Sequence, residues 1–173
     1  MRDRLIWFFG PSAAGKSTLI ESVAATPSHP LRASLDLGVT VKVCRESLEI
    51  YDRDALAGML EAHDTSNEVL LVKGQTTDIT YRSLPQRLTD IWEQSTVFVW
   101  ADLTVLEVRR AEREALYTLA GNIEAADYWR QHSCRRELYE YQIPLVKSLT
   151  LPITCVRTQG GTFDIGRCPP NML

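Results

Sequence analysis

The sequence predicts an α/β protein in which a five-stranded parallel sheet is layered between helices. Three observations carry this. Five short, apolar, largely β-branched runs recur along the chain, and a segment of helical spacing follows each of the first four. Among them, Val69 to Val72 and Val97 to Ala101 are continuously apolar, as strands buried on both faces of a parallel sheet are. The first run turns into its helix through Gly10-Pro11-Ser12-Ala13-Ala14-Gly15-Lys16-Ser17-Thr18, which fits the strand, G-x-x-x-x-G-K-[ST], helix context of a phosphate-binding loop.

Taken in order, Leu5 to Phe9 is the first strand and Lys16 to Ala25 the first helix, closed by Thr26-Pro27-Ser28-His29-Pro30. Leu31 to Leu37 forms a short helix entered by Pro30, with Asp36 near the loop that ends it. Val39 to Cys44 alternates and is β-branched, so it is a strand with Arg45-Glu46-Ser47 at its end. Asp52 to His63 has helical spacing. Glu68 to Lys73 is the third strand and stops at Gly74-Gln75-Thr76-Thr77-Asp78.

A helix is predicted over about Tyr81 to Gln94, and a strand over Thr96 to Ala101 that ends at Asp102. Thr104 and Glu107 match the S/T-x-x-E capping box, which places a helix start near Val105. Gly121-Asn122 breaks that helix, and a second long one spans about Ile123 to Tyr141, where Pro144 ends or disrupts it. Leu151 to Val156 is the last strand. The Gly- and Pro-rich tail, 159–173, predicts little regular structure.

Length and composition fit one domain over 1–173: such a chain buries about 70% of its unfolded surface in a single core, and 45% apolar with 24% charged residues excludes a disordered or fibrous class. The net charge of −3 argues against purely electrostatic nucleic-acid binding, although 15 Arg against 4 Lys suits a site that grips phosphates with planar forks. Cys44, Cys134, Cys155 and Cys168 are widely spaced, without a C-x-x-C pair, and are expected to be reduced thiols of a cytoplasmic protein. Early apolar runs are too short for a signal core or a membrane span, so no membrane partner is expected.

The chemistry is concentrated at strand ends. Gly10, Ser12, Ala13, Ala14, Gly15, Lys16, Ser17 and Thr18 form the cradle: glycines let the backbone wrap a phosphate, the helix start supplies amide donors, Lys16 adds a point charge and Ser17 offers Mg²⁺ a hard oxygen. The Val69 to Val72 strand ends in Lys73-Gly74-Gln75 instead of the aspartate that often binds magnesium there, so phosphates and water complete the metal shell. Glu46, then Asp78, are the carboxylates favoured to orient or deprotonate an acceptor hydroxyl, ahead of Asp36. Asp102 is more simply structural. Arg109 and Arg113, four apart, share one helix face, where an anion between them relieves their repulsion. Tyr128, His132, Arg135 and Tyr139 form a stripe suited either to core packing or to stacking on a planar acceptor.

The segments G-P-S-A-A-G-K-S-T, V-K-G-Q-T-T-D and L-T-V-L-E-V-R-R-A-E-R together resemble the small P-loop kinases of the nucleoside, nucleotide and gluconate kinase superfamily, over nearly the whole chain to about Thr158. The resemblance implies a three-layer P-loop NTPase fold with a five-stranded parallel sheet and a helical lid (about 105–121). It also implies ATP and Mg²⁺ as cofactors and transfer of a γ-phosphoryl group to a hydroxyl. Within the superfamily, I-W-F-F-G-P-S, C-R-E-S and K-G-Q-x-x-D look most like short phage-type kinases, a group with enzymes thought to phosphorylate the hydroxymethyl group of 5-hydroxymethyluracil in DNA. The acceptor is then a nucleoside, a small alcohol or a modified base in DNA, and the compartment the cytoplasm, that of the host if the chain is phage-encoded. A regulatory NTPase without an acceptor is the competing reading.

Overall fold

The computed structural model describes residues 3–38, 40–49, 53–62, 68–74 and 80–172. β1 (Arg4–Phe9) is its axis: Leu5 to Phe9 have no exposed surface, and the strand pairs in parallel with β3 (Val69–Lys73) on one side and β4 (Glu93–Trp100) on the other. A strand apolar on both faces can lie only in the middle of a covered sheet. β2 (Val41–Val43) lies outside β3 and β5 (Ile153–Gln159) outside β4, both parallel. Beyond β5 runs β6 (Thr162–Ile165), antiparallel, so the sheet order is β2-β3-β1-β4-β5-β6.

The α/β class therefore holds, but the sheet has six strands, not five, and is not wholly parallel. The extra strand comes from the tail expected to be irregular. Gly160 and Gly161 both take positive φ (55° and 83°), the requirement of a two-residue type I′ hairpin, and Gln159 pairs with Thr162 across it.

The hairpin also overturns the expectation of four free thiols. It carries Cys168 back against β5, where it forms a disulfide with Cys155 (Cα–Cα 5.0 Å), while Cys44 and Cys134 stay free and buried. Closing a loop of 13 residues in sequence is worth about 3 kcal/mol in the chain-entropy view. Cys168→Ser should lower the unfolding free energy by that order, and reductant should lower it in the wild type but not in the variant. Equal urea midpoints in all four samples would show that the link contributes nothing.

The helices are α1 (Lys16–Ala25), α2 (Pro30–Ser34), α3 (Arg45–Glu49), α4 (Arg53–Glu61), α5 (Thr80–Arg87), α6 (Leu103–Leu119), α7 (Ile123–Gln131), α8 (Cys134–Arg136) and α9 (Ile143–Ser148), with a π-helical stretch over Glu137–Gln142 between the last two. α3 and α9 have no counterpart among the predicted helices, and three predicted helices differ in extent. The helix predicted to reach Gln94 stops at Arg87, because Gln94 belongs to β4, where its buried carboxamide accepts the Trp7 indole N–H (2.8 Å) and donates to the Pro85 carbonyl (2.7 Å). α6 begins at Leu103 rather than Val105 and ends at Leu119, and the Thr104 capping box is not used. Asp102 stands at its N-cap without a capping bond because its carboxylate pairs with Arg157 of β5. The long helix predicted over Ile123 to Tyr141 breaks at His132, where Ser133 Oγ accepts the Arg136 N–H and starts a new helix. Among the described residues no helix is long and apolar enough to cross a membrane.

Candidate functional site

In parallel α/β sheets ligands collect beyond the carboxyl ends of the strands, where the order reverses. Here the reversal is at β1, between β3 and β4. The loop from Gly10 to Gly15 leaves β1 at that point. It is compact and left-handed at three places, with φ of 141° at Gly10, 63° at Ala13 and 91° at Gly15, and the Ala14 N–H closes a turn onto the Pro11 carbonyl (3.2 Å).

Gly15 caps α1 through its backbone alone; no side chain satisfies the helix start. The first N–H groups of α1, at Lys16, Ser17 and Thr18, have no carbonyl one turn earlier to reach, and they carry the positive end of the helix dipole. The outer side of the loop is braced. Thr158 of β5 donates to the Ala14 carbonyl (2.8 Å), and Arg109 of α6 donates to both the Ala13 carbonyl (3.1 Å) and Thr158 Oγ1 (3.0 Å).

The ammonium of Lys16 folds back onto the carbonyls of Gly10 (2.6 Å) and Pro11 (2.8 Å). Burial lowers its pKa from 10.5 to about 8; the Glu137 carboxylate opposes that fall, and the charges of Lys73 and Arg113 add to it. Between about pH 8 and 10.5 the unfolded chain holds a proton that the folded chain has lost, so this group makes stability rise with pH across that window. Below it, both states are charged and the cost of burying the ammonium is fully present. Urea unfolding at about pH 7 and about pH 10 should show this contribution in the wild type and not in Lys16→Met.

The inner side of the loop meets the π-helical stretch. The Ser12 N–H and hydroxyl donate to the two carboxylate oxygens of Glu137 (2.7 and 2.9 Å), and the Gly10 N–H donates to Gln142 Oε1 (3.1 Å). The i to i+5 bonding of a π turn brings residues five apart toward one face, which is how Glu137 and Gln142 both address the loop. Glu137 is buried and also contacts His132 Nε2 (2.9 Å). Burial pushes its carboxyl up, yet the His132 hydrogen bond, the Lys16 charge and the Ser12 N–H together hold it below the ordinary Glu value.

A cavity of about 670 Å³ opens above the loop. Ser12, Lys16 and Ser17 form its floor, Lys73 and Arg113 add two cations, and Tyr117, Tyr128 and Trp129 bring aromatic rings. Arg113 lies over the Trp129 ring (4.8 Å), and Tyr128, Trp129 and His132 pack as a ring cluster with centroids 5.4 Å apart. The Lys73 ammonium is held below its ordinary value by burial and by Arg113. A second cavity, about 470 Å³, lies on the Thr158 side and is lined by Arg109, Arg113, Leu116 and Phe163.

Of the residues expected from sequence, the loop residues, Arg109 and Arg113 come together. Glu114 and Glu107 pair with Arg110, and Glu114 also pairs with Arg130, which leaves Arg109 and Arg113 turned toward the loop and cavities. The aromatic stripe divides: Tyr128 and His132 join the site cluster, whereas Arg135 packs on the Tyr139 ring away from these cavity linings. Glu46 falls in α3, just after β2, but its side chain, and the whole of Asp78, lie outside the described residues.

Sequence reasoning missed Glu137 and Gln142, whereas Thr158, which braces the loop, lies at a strand end, where the sequence places the chemistry. Nothing in a helical pattern distinguishes a carboxylate that turns inward from one on the surface. Among the described residues no group of three His, Cys, Asp or Glu side chains could hold a metal. Ser17, at the start of α1, lines the larger cavity. The chain matches no protein-family model and no curated protein sequence.

Proposed function

We propose that the chain is a kinase of P-loop NTPase fold that uses ATP and Mg²⁺ to phosphorylate a hydroxyl group. The observation that supports this best is the start of α1 without a side-chain cap, set behind a left-handed loop at the sheet's reversal point, with Lys16, Lys73 and Arg113 around one cavity.

Phosphoryl transfer asks mainly for positioning and charge neutralisation. In this reading the amides of Lys16 to Thr18 and the Lys16 ammonium bind the β and γ phosphates, which draw that ammonium off the Gly10 and Pro11 carbonyls. Mg²⁺, when bound beside Ser17, neutralises phosphate charge. Arg113 faces the transferring phosphoryl group, and Arg109, holding the far wall of the loop, stands beside the nucleoside end of ATP in the second cavity. Glu46 and Asp78, after β2 and β3, are candidate carboxylates for the acceptor.

The exposed Tyr128 ring, packed edge to face with the buried Trp129, favours a planar, nucleoside-type acceptor over a small aliphatic alcohol, since a base can stack on it. A base carrying its own hydroxyl, such as 5-hydroxymethyluracil in DNA, belongs to this class.

The test is transfer of label from γ-labelled ATP with Mg²⁺ to thymidine, to 5-hydroxymethyl-2′-deoxyuridine free and within duplex DNA, and to glycerol. Label in a pyrimidine acceptor supports the proposal. Label in glycerol alone contradicts the acceptor class, and hydrolysis with no labelled acceptor contradicts the kinase.

A further inference from the structure

One residue outside the loop, Glu137, is joined to both sides of the site. It is the buried carboxylate among the residues lining the larger cavity, and it stands between the two halves of that cavity. On one side it holds Ser12, the leading edge of the phosphate loop; on the other it contacts His132, which packs in the ring cluster with Tyr128 and Trp129. A carboxylate has about four acceptor positions. Oε2 uses two, for the Ser12 N–H and for His132, while Oε1 carries one hydrogen bond, from the Ser12 hydroxyl.

We propose that Glu137 is the carboxylate that orients the acceptor hydroxyl and takes its proton. The hydroxyl donates to the remaining position on Oε1. As its oxygen bonds to the γ-phosphorus, the bond from that phosphorus to the β–γ bridging oxygen breaks, the electron pair leaves with the nucleoside diphosphate, and the proton passes to Oε1. This inference rests on the phosphotransferase reading above, and it assigns to a residue of the π-helical stretch a role for which sequence favoured Glu46 or Asp78.

Two physical points support the assignment. In a loose transition state the acceptor proton leaves late, so a carboxylate that stays ionised serves by orientation first and needs little basicity. Lys16 of α1 and His132, the cationic or protonatable groups set against Glu137, both favour its ionised form, while the buried Cys134 thiol of α8, itself pushed up to about 12 by burial and by Glu107 and Glu137, stays neutral beside it. The π geometry also has a use, since it brings Glu137 and Gln142 together onto the loop and so fixes the carboxylate against the cradle.

The experiment compares wild type, Glu137→Gln, Glu137→Ala, Glu46→Gln and Asp78→Asn in γ-label transfer from ATP with Mg²⁺ to thymidine and to 5-hydroxymethyl-2′-deoxyuridine. Nucleotide affinity is read separately with a fluorescent, non-hydrolysable ATP analogue. Glu137→Gln should lose about a hundredfold in kcat with nucleotide affinity changed less than about threefold, and formate should restore part of the rate to Glu137→Ala. A carboxylate that merely props the loop would lose nucleotide affinity and show no formate rescue, and one that merely plugs the cradle would gain affinity on removal; either result overturns the inference. So does a full rate in Glu137→Gln beside a loss in Glu46→Gln or Asp78→Asn. A wild type that labels no acceptor sinks the phosphotransferase reading itself, whereas an active wild type with an unaffected Glu137→Gln sinks only this one.

Discussion

Lys16→Met is expected to lower γ-phosphoryl transfer on the order of a thousandfold while leaving the ligand-free protein at least as stable near neutral pH. The two effects have one cause. In the ligand-free chain the ammonium is half-buried against two loop carbonyls among like charges from Lys73 and Arg113, and desolvation is the largest influence on it. Its charge is therefore a cost to the fold until phosphates arrive, and replacing a buried charge by an apolar side chain of similar length is commonly neutral or stabilising. The lost hydrogen bonds to Gly10 and Pro11, each from a charged donor, are worth about 1.5–3 kcal/mol and offset part of that gain. In the proposed function the same ammonium neutralises charge on the bound triphosphate, and its partly buried setting strengthens that contact over one in open water. Transfer rate, nucleotide affinity and urea midpoint measured on one preparation check this. A variant that loses activity only because its midpoint collapses would contradict the assignment of Lys16 to the phosphates, and so would one that transfers at the wild-type rate.

How far the sequence discloses this molecule depends on where the determining interaction lies. β1 and α1 are legible because their causes are local: a doubly buried strand must be continuously apolar, and Leu5 to Phe9 is; a helix start that holds phosphate must carry glycine, lysine and a hydroxyl at fixed spacing, and Gly15-Lys16-Ser17 does. The start of α6 was misjudged because its cause is distant. The Asp102 carboxylate is held by Arg157, fifty-five residues on, and the first helical bond runs from the Leu106 N–H to the Asp102 carbonyl. β6 had a local signal, Gly160-Gly161 between two short runs, which the overall Gly and Pro content of the tail obscured. The partnership of Glu137 with Ser12 spans 125 positions and uses a π turn, for which residue types carry no signature. The candidate site is thus half legible: its loop follows from one motif, and the wall proposed to meet the acceptor exists only once α7 and the π-helical stretch are folded against the loop.

Gly10→Ala is expected to remove most of the protein's folding stability, about 4 kcal/mol or more, for a reason other than phosphate binding. Reading the motif alone assigns Gly10 to the close approach of backbone and phosphate. In the structure its missing side chain faces the neighbouring strand: a Cβ there would lie 1.8 Å from the Val99 carbonyl oxygen and 2.9 Å from its carbon, and φ is 141°. The backbone of β4 cannot retreat, because Val99 is in register with Val156 of β5 and Phe98 with Phe9 of β1. Either the β1–β4 ladder opens or the loop swings away, which removes the Gly10 bond to Gln142 as well. Natural domains hold only about 5–15 kcal/mol in total, so with a urea m value of about 2 kcal/mol/M the midpoint should fall by about 2 M or the chain should fail to fold. Gly58→Ala is the matched control. Gly58 lies within α4 at ordinary φ with nothing within 4 Å of an added Cβ, so that variant should gain about 0.5–1 kcal/mol. Equal midpoints for Gly10→Ala and wild type would show that β1 and β4 do not pack as closely as the sheet geometry requires.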